Sequence, residues 1–156
     1  MNRLSLAEFN TADATRLRPM LTECLAVPRW ADHVLAGRPY SDLDSLRTHA
    51  ALTLTPDEIH TAMAAHPRIG EKPASGTSHA EQSGVDDEDA RRFRNANAEY
   101  EERFGHVFLI CASGRSGAEL LAELRGRMTN DPETELRIAG EELVKIAQLR
   151  LAKEVS

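Results

Sequence analysis

Thr55-Pro56-Asp57-Glu58-Ile59-His60-Thr61-Ala62-Met63-Ala64-Ala65-His66 opens with the chemistry of a helix start and continues with the spacing of a buried helix face. Thr55 offers a hydroxyl to the unpaired N–H groups of a first turn. Pro56 takes the first helical position, where no N–H is needed, and Glu58 completes a capping box three residues after Thr55. Ile59, Ala62, Met63 and His66 then recur at i, i+3, i+4 and i+7, which is one side of an α-helix. The spacing predicts a helix from Thr55 to about Ala65, with His66 closing its apolar stripe.

The same punctuation recurs on the C-terminal side. Ser116-Gly117-Ala118-Glu119 is a second capping box and predicts a helix through about Met128; Asp131-Pro132 predicts the start of a last helix toward the C-terminus. On that last helix Ala139, Leu143, Ile146 and Arg150 follow one stripe, with Leu136 a heptad before Leu143. Further helices are expected from Thr11 to Leu25, Pro28 to Leu35, Asp42 to Leu52 and Asp86 to Phe104, with Pro19 beginning or kinking the first. Two stretches break the rhythm. Pro67 to Thr77 (PRIGEKPASGT) is rich in proline, glycine and small polar residues and reads as a loop. Gly105 to Gly114 (GHVFLICASG) is apolar without a helical period and is bounded by glycines, so it reads as an extended buried piece between two helices. Residues 1–156 are therefore expected to form an all-α, single-domain bundle of about eight helices.

Composition agrees and removes several function classes. Aromatic residues make up 4% of the chain, Val and Ile are sparse, and Ala, Leu, Glu and Arg dominate, as suits helix rather than sheet. A total of 19 Lys and Arg against 25 Asp and Glu gives a formal charge of −6, so no cationic footprint awaits nucleic acid or anionic lipid. No apolar run reaches the roughly 18 residues of a membrane span, and the first ten residues lack the apolar core of a leader. A cytoplasmic protein is expected, and the C-terminal Lys153-Glu154-Val155-Ser156 is no peroxisomal address. Cys24 and Cys111 match no zinc or redox spacing, and both are expected to be buried and inert.

Three features carry chemistry. His66 and Arg150 each close an apolar stripe. A guanidinium cannot shed its charge, so Arg150 either binds an anionic or carbonyl partner or snorkels outward near a helix end, where the dipole favours a cation. His66 is either a hydrogen-bonded structural histidine or an acid/base. Ser78-His79-Ala80-Glu81-Gln82 is an ordinary capping box that also gathers a carboxylate, an amide and backbone N–H groups in one first turn, as suits a polar or anionic ligand. A metal site is disfavoured: His60 and His66 fall on different sides of a helix, and no HExxH is present. The chain also holds no glycine-rich phosphate loop and no G-x-S-x-G elbow.

In combination these residues resemble a known family. His66-Pro67-Arg68-Ile69-Gly70-Glu71 resembles the HPRIGE signature of 2-oxo-4-hydroxy-4-carboxy-5-ureidoimidazoline (OHCU) decarboxylases, and Ser78-x-x-Glu81-Gln82 resembles the S-x-x-E-Q that follows it. Trp30 with Arg38-Pro39-Tyr40 resembles the family's W and RP-aromatic segment, and Asn97 through Gly105 its N-x-x-Y-x-x-x-FG pattern. Phe108-Leu109-Ile110, Gly114-Arg115-Ser116, Arg127 with Asn130, and Lys145-Ile146 with Arg150-Leu151 extend the likeness over about Asn10 to Leu151.

The resemblance implies an all-α bundle and a cofactor-independent decarboxylation of OHCU to (S)-allantoin and CO₂ in urate catabolism, coupled functionally to uricase and hydroxyisourate hydrolase. It implies His66 and Glu81 as catalytic residues. It implies Pro67, Ser78, Gln82, Arg150 and the backbone near Phe108, Leu109 and Ile110 as the substrate-binding set, with no metal. Monomers and homodimers both fit. Two other readings use the same pocket: a non-catalytic helical module binding a ureide or purine-like ligand, and a lyase or hydrolase for a related ureido acid.

Overall fold

A computed structural model of the chain describes residues 4–65 and 87–156. Among these, eight helices are present and no sheet: α1 (Leu6–Thr11), α2 (Ala14–Cys24), α3 (Pro28–Ala36), α4 (Leu43–His49), α5 (Pro56–Met63), α6 (Asp87–Phe104), α7 (Gly117–Arg127) and α8 (Pro132–Glu154). The expected all-α class is borne out. The chain divides into two compact units, one of Met1–Ala62 with Leu143–Ser156, the other of Met63–Glu142.

In the first unit the capping chemistry is realised atom by atom. The Thr55 N–H donates to Glu58 Oε1 at 2.9 Å and the Glu58 N–H to Thr55 Oγ1 at 3.2 Å, closing the box that starts α5. Ser5 and Glu8 form the same box at the start of α1, a short helix the periodicity does not mark. Ala12 then adopts extended backbone, so the expected helix from Thr11 begins instead at Ala14 and carries Pro19 inside it. Asp42 caps α4 through the Ser45 N–H at 2.7 Å. That helix stops at His49 rather than Leu52, where the Trp30 indole N–H takes the Ala50 carbonyl at 2.8 Å. Each cap of this kind is worth about 1 kcal/mol.

Motif residues of this unit turn out to hold backbone. Arg38 donates to the carbonyls of Phe9 (3.1 Å), Ala12 (2.6 Å) and Leu35 (3.2 Å), so one guanidinium serves the ends of α1 and α3. Asn10 pairs with the Tyr40 backbone in both directions, at 2.8 and 3.0 Å. His33 and His49 stack at 4.2 Å, and the Nε2 of each donates to the backbone carbonyl of the other. A side chain at Gly37 would meet the His49 ring at 2.6 Å, so glycine is required there. The chain ends also meet: the Leu4 N–H donates to Glu154 O at 2.9 Å and the Ser156 N–H to Leu4 O at 2.8 Å. Phe9, Leu17, Leu21, Trp30, Val34 and Leu143 form the buried centre.

Glu58 has a second duty. Its carboxylate receives Arg29 in a fork, Nη2 to Oε1 at 2.8 Å and Nε to Oε2 at 2.9 Å. The Arg29 guanidinium above all, with the Thr55 N–H behind it, holds the Glu58 carboxyl down to about 2. A carboxyl lowered from its ordinary value of roughly 4.3 stabilises the folded chain at neutral pH and loses that contribution as pH falls toward 2. Glu58→Gln is therefore expected to flatten the decline of Tm between about pH 5 and pH 3. Wild-type and variant curves that run parallel over that window contradict this assignment.

In the second unit α6 packs on α7. Phe93, Ala96 and Tyr100 of α6 meet Leu120, Leu121 and Leu124 of α7 around the buried side chains of Phe108, Ile110 and Ala112. Gly105, at φ 77°, ends α6 in the left-handed conformation, and its N–H returns to Glu101 O at 2.8 Å. The Ser116 and Glu119 box starts α7. The Thr134 N–H donates to Asp131 Oδ1 at 2.8 Å at the start of α8.

Candidate active site

Residues 107–112 belong to no helix or strand, yet most of this stretch is buried. Phe108, Ile110 and Ala112 turn into the core at every second position, the period of extended chain, which matches the sequence expectation for this piece. Buried backbone without a ladder needs other partners. Side chains from α7 and α8 supply them: Arg127 Nη1 donates to the Leu109 carbonyl at 2.7 Å, and the Cys111 N–H donates to Glu142 Oε1 at 3.0 Å.

Arg127 and Glu135 are 4% and 0% exposed, and a charge pair so deep depends on hydrogen bonds from its surroundings as well as on its own attraction. Arg127 Nε donates to Glu135 Oε1 at 2.6 Å, the Tyr100 hydroxyl to the same oxygen at 2.6 Å, and Asn130 Nδ2 to Oε2 at 3.0 Å. Arg127 Nη2 also lies 2.5 Å from Oε1, but outside hydrogen-bond geometry, so that contact is Coulombic. The guanidinium sits 4.5 Å over the Phe108 ring, and Tyr100 meets the same ring edge-on at 5.3 Å. Burial first, and then the bond to Glu135, raise the Tyr100 hydroxyl far above its usual titration range, so it stays a donor.

Arg150 lies on the part of α8 that belongs to the first unit and is half-buried. Its Nη1 donates to the Glu23 carbonyl at 3.3 Å, in the last turn of α2, where carbonyls lack helical partners and the dipole favours a cation. The rest of its stripe, Ala139, Leu143 and Ile146, is buried as the spacing predicts. Cys24 is buried as expected, and desolvation pushes its thiol up to about 12. Cys111 departs from the expectation: it is partly exposed, and it stands outside the core cluster that Phe108, Ile110 and Ala112 join.

His66, Pro67, Ser78, Glu81 and Gln82 lie outside the described residues. Phe108, Leu109 and Ile110 stand together in the buried segment, where the side chains of Phe108 and Ile110 join the core. No group of three or more His, Cys, Asp or Glu that suits a metal gathers among the described residues, and no helix there is long and apolar enough to cross a membrane. The residues the sequence reading misses are Glu135 and Glu142. They sit at i−4 and i+3 from Ala139, on the stripe itself, and that placement of carboxylates was the available signal.

Comparison with known proteins places this geometry among relatives. A family model described as OHCU decarboxylase matches residues 10–152. A protein of Haloferax volcanii named 2-oxo-4-hydroxy-4-carboxy-5-ureidoimidazoline decarboxylase is 28% identical, with 100% of this chain and 99% of that one covered. The uric acid degradation bifunctional protein TTL of Arabidopsis thaliana is 37% identical over 103 residues, which cover 59% of this chain; the chain spans 32% of that longer protein. A crystal structure described as OHCU decarboxylase in the presence of (S)-allantoin superposes with a TM-score of 0.70 at 29% identity, covering 85% of this chain and 94% of that one.

Proposed function

Because the chain belongs to the OHCU decarboxylase family, we propose that it decarboxylates OHCU, releasing CO₂ and giving (S)-allantoin in urate degradation. The family match over residues 10–152 carries this reading, and it also supports treating residues 1–156 as one functional domain. The enzyme acts in the cytoplasm, after uricase and hydroxyisourate hydrolase have supplied its unstable substrate.

The substrate bears its carboxylate on a hydroxylated ring carbon beside a ring C=N bond. When the C–CO₂ bond breaks, its electron pair moves toward that C=N group, so the substrate itself supplies the electron sink that a cofactor provides elsewhere. The ring nitrogen that receives the pair takes a proton, and the neighbouring carbon takes another on one face while the ring hydroxyl gives up its own and becomes a carbonyl. The protein must orient the carboxylate and place donors where charge develops.

His66 is the principal acid/base in this account, since an imidazole exchanges protons in both directions near neutral pH. Glu81 tunes His66 or assists the protonation that sets the (S) hand. Pro67, Ser78, Gln82 and the Phe108–Ile110 backbone line the pocket. Arg150 holds a carbonyl or ureido oxygen of the substrate through its planar fork, and its bond to Glu23 orients that plane.

Arg150→Lys is expected to raise KM by about tenfold or more with a smaller effect on kcat, the loss of one charge-assisted hydrogen bond of roughly 1.5 kcal/mol. A variant with wild-type KM removes Arg150 from the binding set. The function itself is tested by generating OHCU in place from urate with the two upstream enzymes and following its ultraviolet absorbance. Decay should accelerate in proportion to added protein; an unchanged spontaneous rate refutes the proposal.

A further inference from the structure

The buried segment that carries Phe108–Ile110 is clamped along one edge. In extended chain a residue's C=O and the N–H two residues on point to the same side. Here both members of that pair, Leu109 C=O and Cys111 N–H, are held by Arg127 and Glu142. Ile110, whose N–H and C=O point to the opposite side, makes no backbone hydrogen bond to a described residue. The Leu109–Cys111 edge is thus fixed by protein, while on the other side the Arg115 N–H donates to the Ala112 carbonyl at 3.1 Å and the Ile110 N–H and C=O bond to no described backbone.

The clamp is stiff because Arg127 is itself held. Glu135 takes its Nε, the Phe108 ring lies beneath its guanidinium, and Tyr100 and Asn130 lock both Glu135 oxygens. Stability alone does not call for this arrangement, since a buried ion pair is commonly replaced by apolar or neutral groups without loss of stability. What apolar groups cannot replace is the N–H donated to Leu109.

We propose that Arg127 and Glu135 are positioning residues for the decarboxylation: Glu135 fixes the Arg127 fork, and the fork sets the Phe108–Ile110 backbone at the place where it meets substrate. This rests on the reading that this backbone lines the OHCU pocket.

The test is the double variant R127M/E135Q beside Arg127→Lys. In the double variant the amide oxygen introduced at position 135 still accepts from Tyr100 and no buried charge is left alone, so wild-type helix content is expected; the Leu109 carbonyl loses its donor, so Tm should fall, by only a few degrees. Its kcat should nevertheless fall by about 10- to 100-fold, the scale of a displaced reacting partner, with KM changed less than about threefold. Arg127→Lys keeps a charge beside Glu135 but cannot reach both Glu135 and Leu109 with a fork, and its kcat should fall while it remains folded. Wild-type kcat in either folded variant overturns the proposal. So does activity lost only in proportion to native circular dichroism, which makes the pair a stability element. Wild-type protein that fails to accelerate OHCU loss overturns the decarboxylase reading instead, so the two failures are told apart.

Discussion

His66→Ala is expected to lower kcat for OHCU decarboxylation by about 10²- to 10⁴-fold with little change in KM, the range for removal of a positioned general acid/base. The expectation comes from position and chemistry together. In the sequence His66 stands at the next position of the spacing of Ile59, Ala62 and Met63; those three are buried, and α5 ends at Met63. It also opens the HPRIGE motif within the matched span. A loss concentrated in KM, with kcat preserved, would make His66 a binding residue; near-wild-type values of both would remove it from the mechanism.

Arg127→Met alone is expected to destabilise the fold by about 3–5 kcal/mol, because it leaves a buried carboxylate without its counter-ion. Glu135 has no exposed surface, and its remaining partners, Tyr100 and Asn130, are neutral donors. The midpoint of urea unfolding reads this directly, with R127M/E135Q markedly closer to wild type than the single variant. A single variant within about 1 kcal/mol of wild type would mean that Glu135 is solvated or protonated once Arg127 is gone.

The two variants mark where sequence reasoning reaches and where it stops. Helix starts were legible at Thr55, Ser116 and Asp131 because a cap is local, set by residues three apart. Ser5 and Glu8 obey the same rule, but α1 has six residues, too few to repeat a stripe, and it escapes a reading based on period. The end of α4 was not legible because a tertiary contact, the Trp30 indole on the Ala50 carbonyl, marks where it stops. The extended piece after Gly105 was legible from its lack of period and its flanking glycines, and the entry of Phe108, Ile110 and Ala112 into one core cluster at every second position agrees.

The site divides in the same way. Spacing marked Arg150 as a polar residue ending an apolar stripe, and in the structure it is half-buried against the end of α2. Spacing alone could not separate a structural role from a catalytic one for either Arg150 or His66; the motifs around them are what carries the roles proposed for both. Glu135 and Glu142 were illegible because carboxylates on a helix ordinarily face water, and what keeps these two buried lies elsewhere in the chain: the Arg127 side chain and the Cys111 backbone. Among the described residues of the second unit, the polar groups that hold the candidate pocket segment are therefore tertiary, while the elements that carry them are local.

The central claim is an enantioselective decarboxylation, and the circular dichroism of the product tests it most directly. OHCU formed in place from urate decays spontaneously to racemic allantoin, which gives no signal. With this protein present, the (S)-allantoin signal should appear at a rate proportional to protein concentration. Folded wild-type protein that yields only racemic product, at the spontaneous rate, would contradict the account.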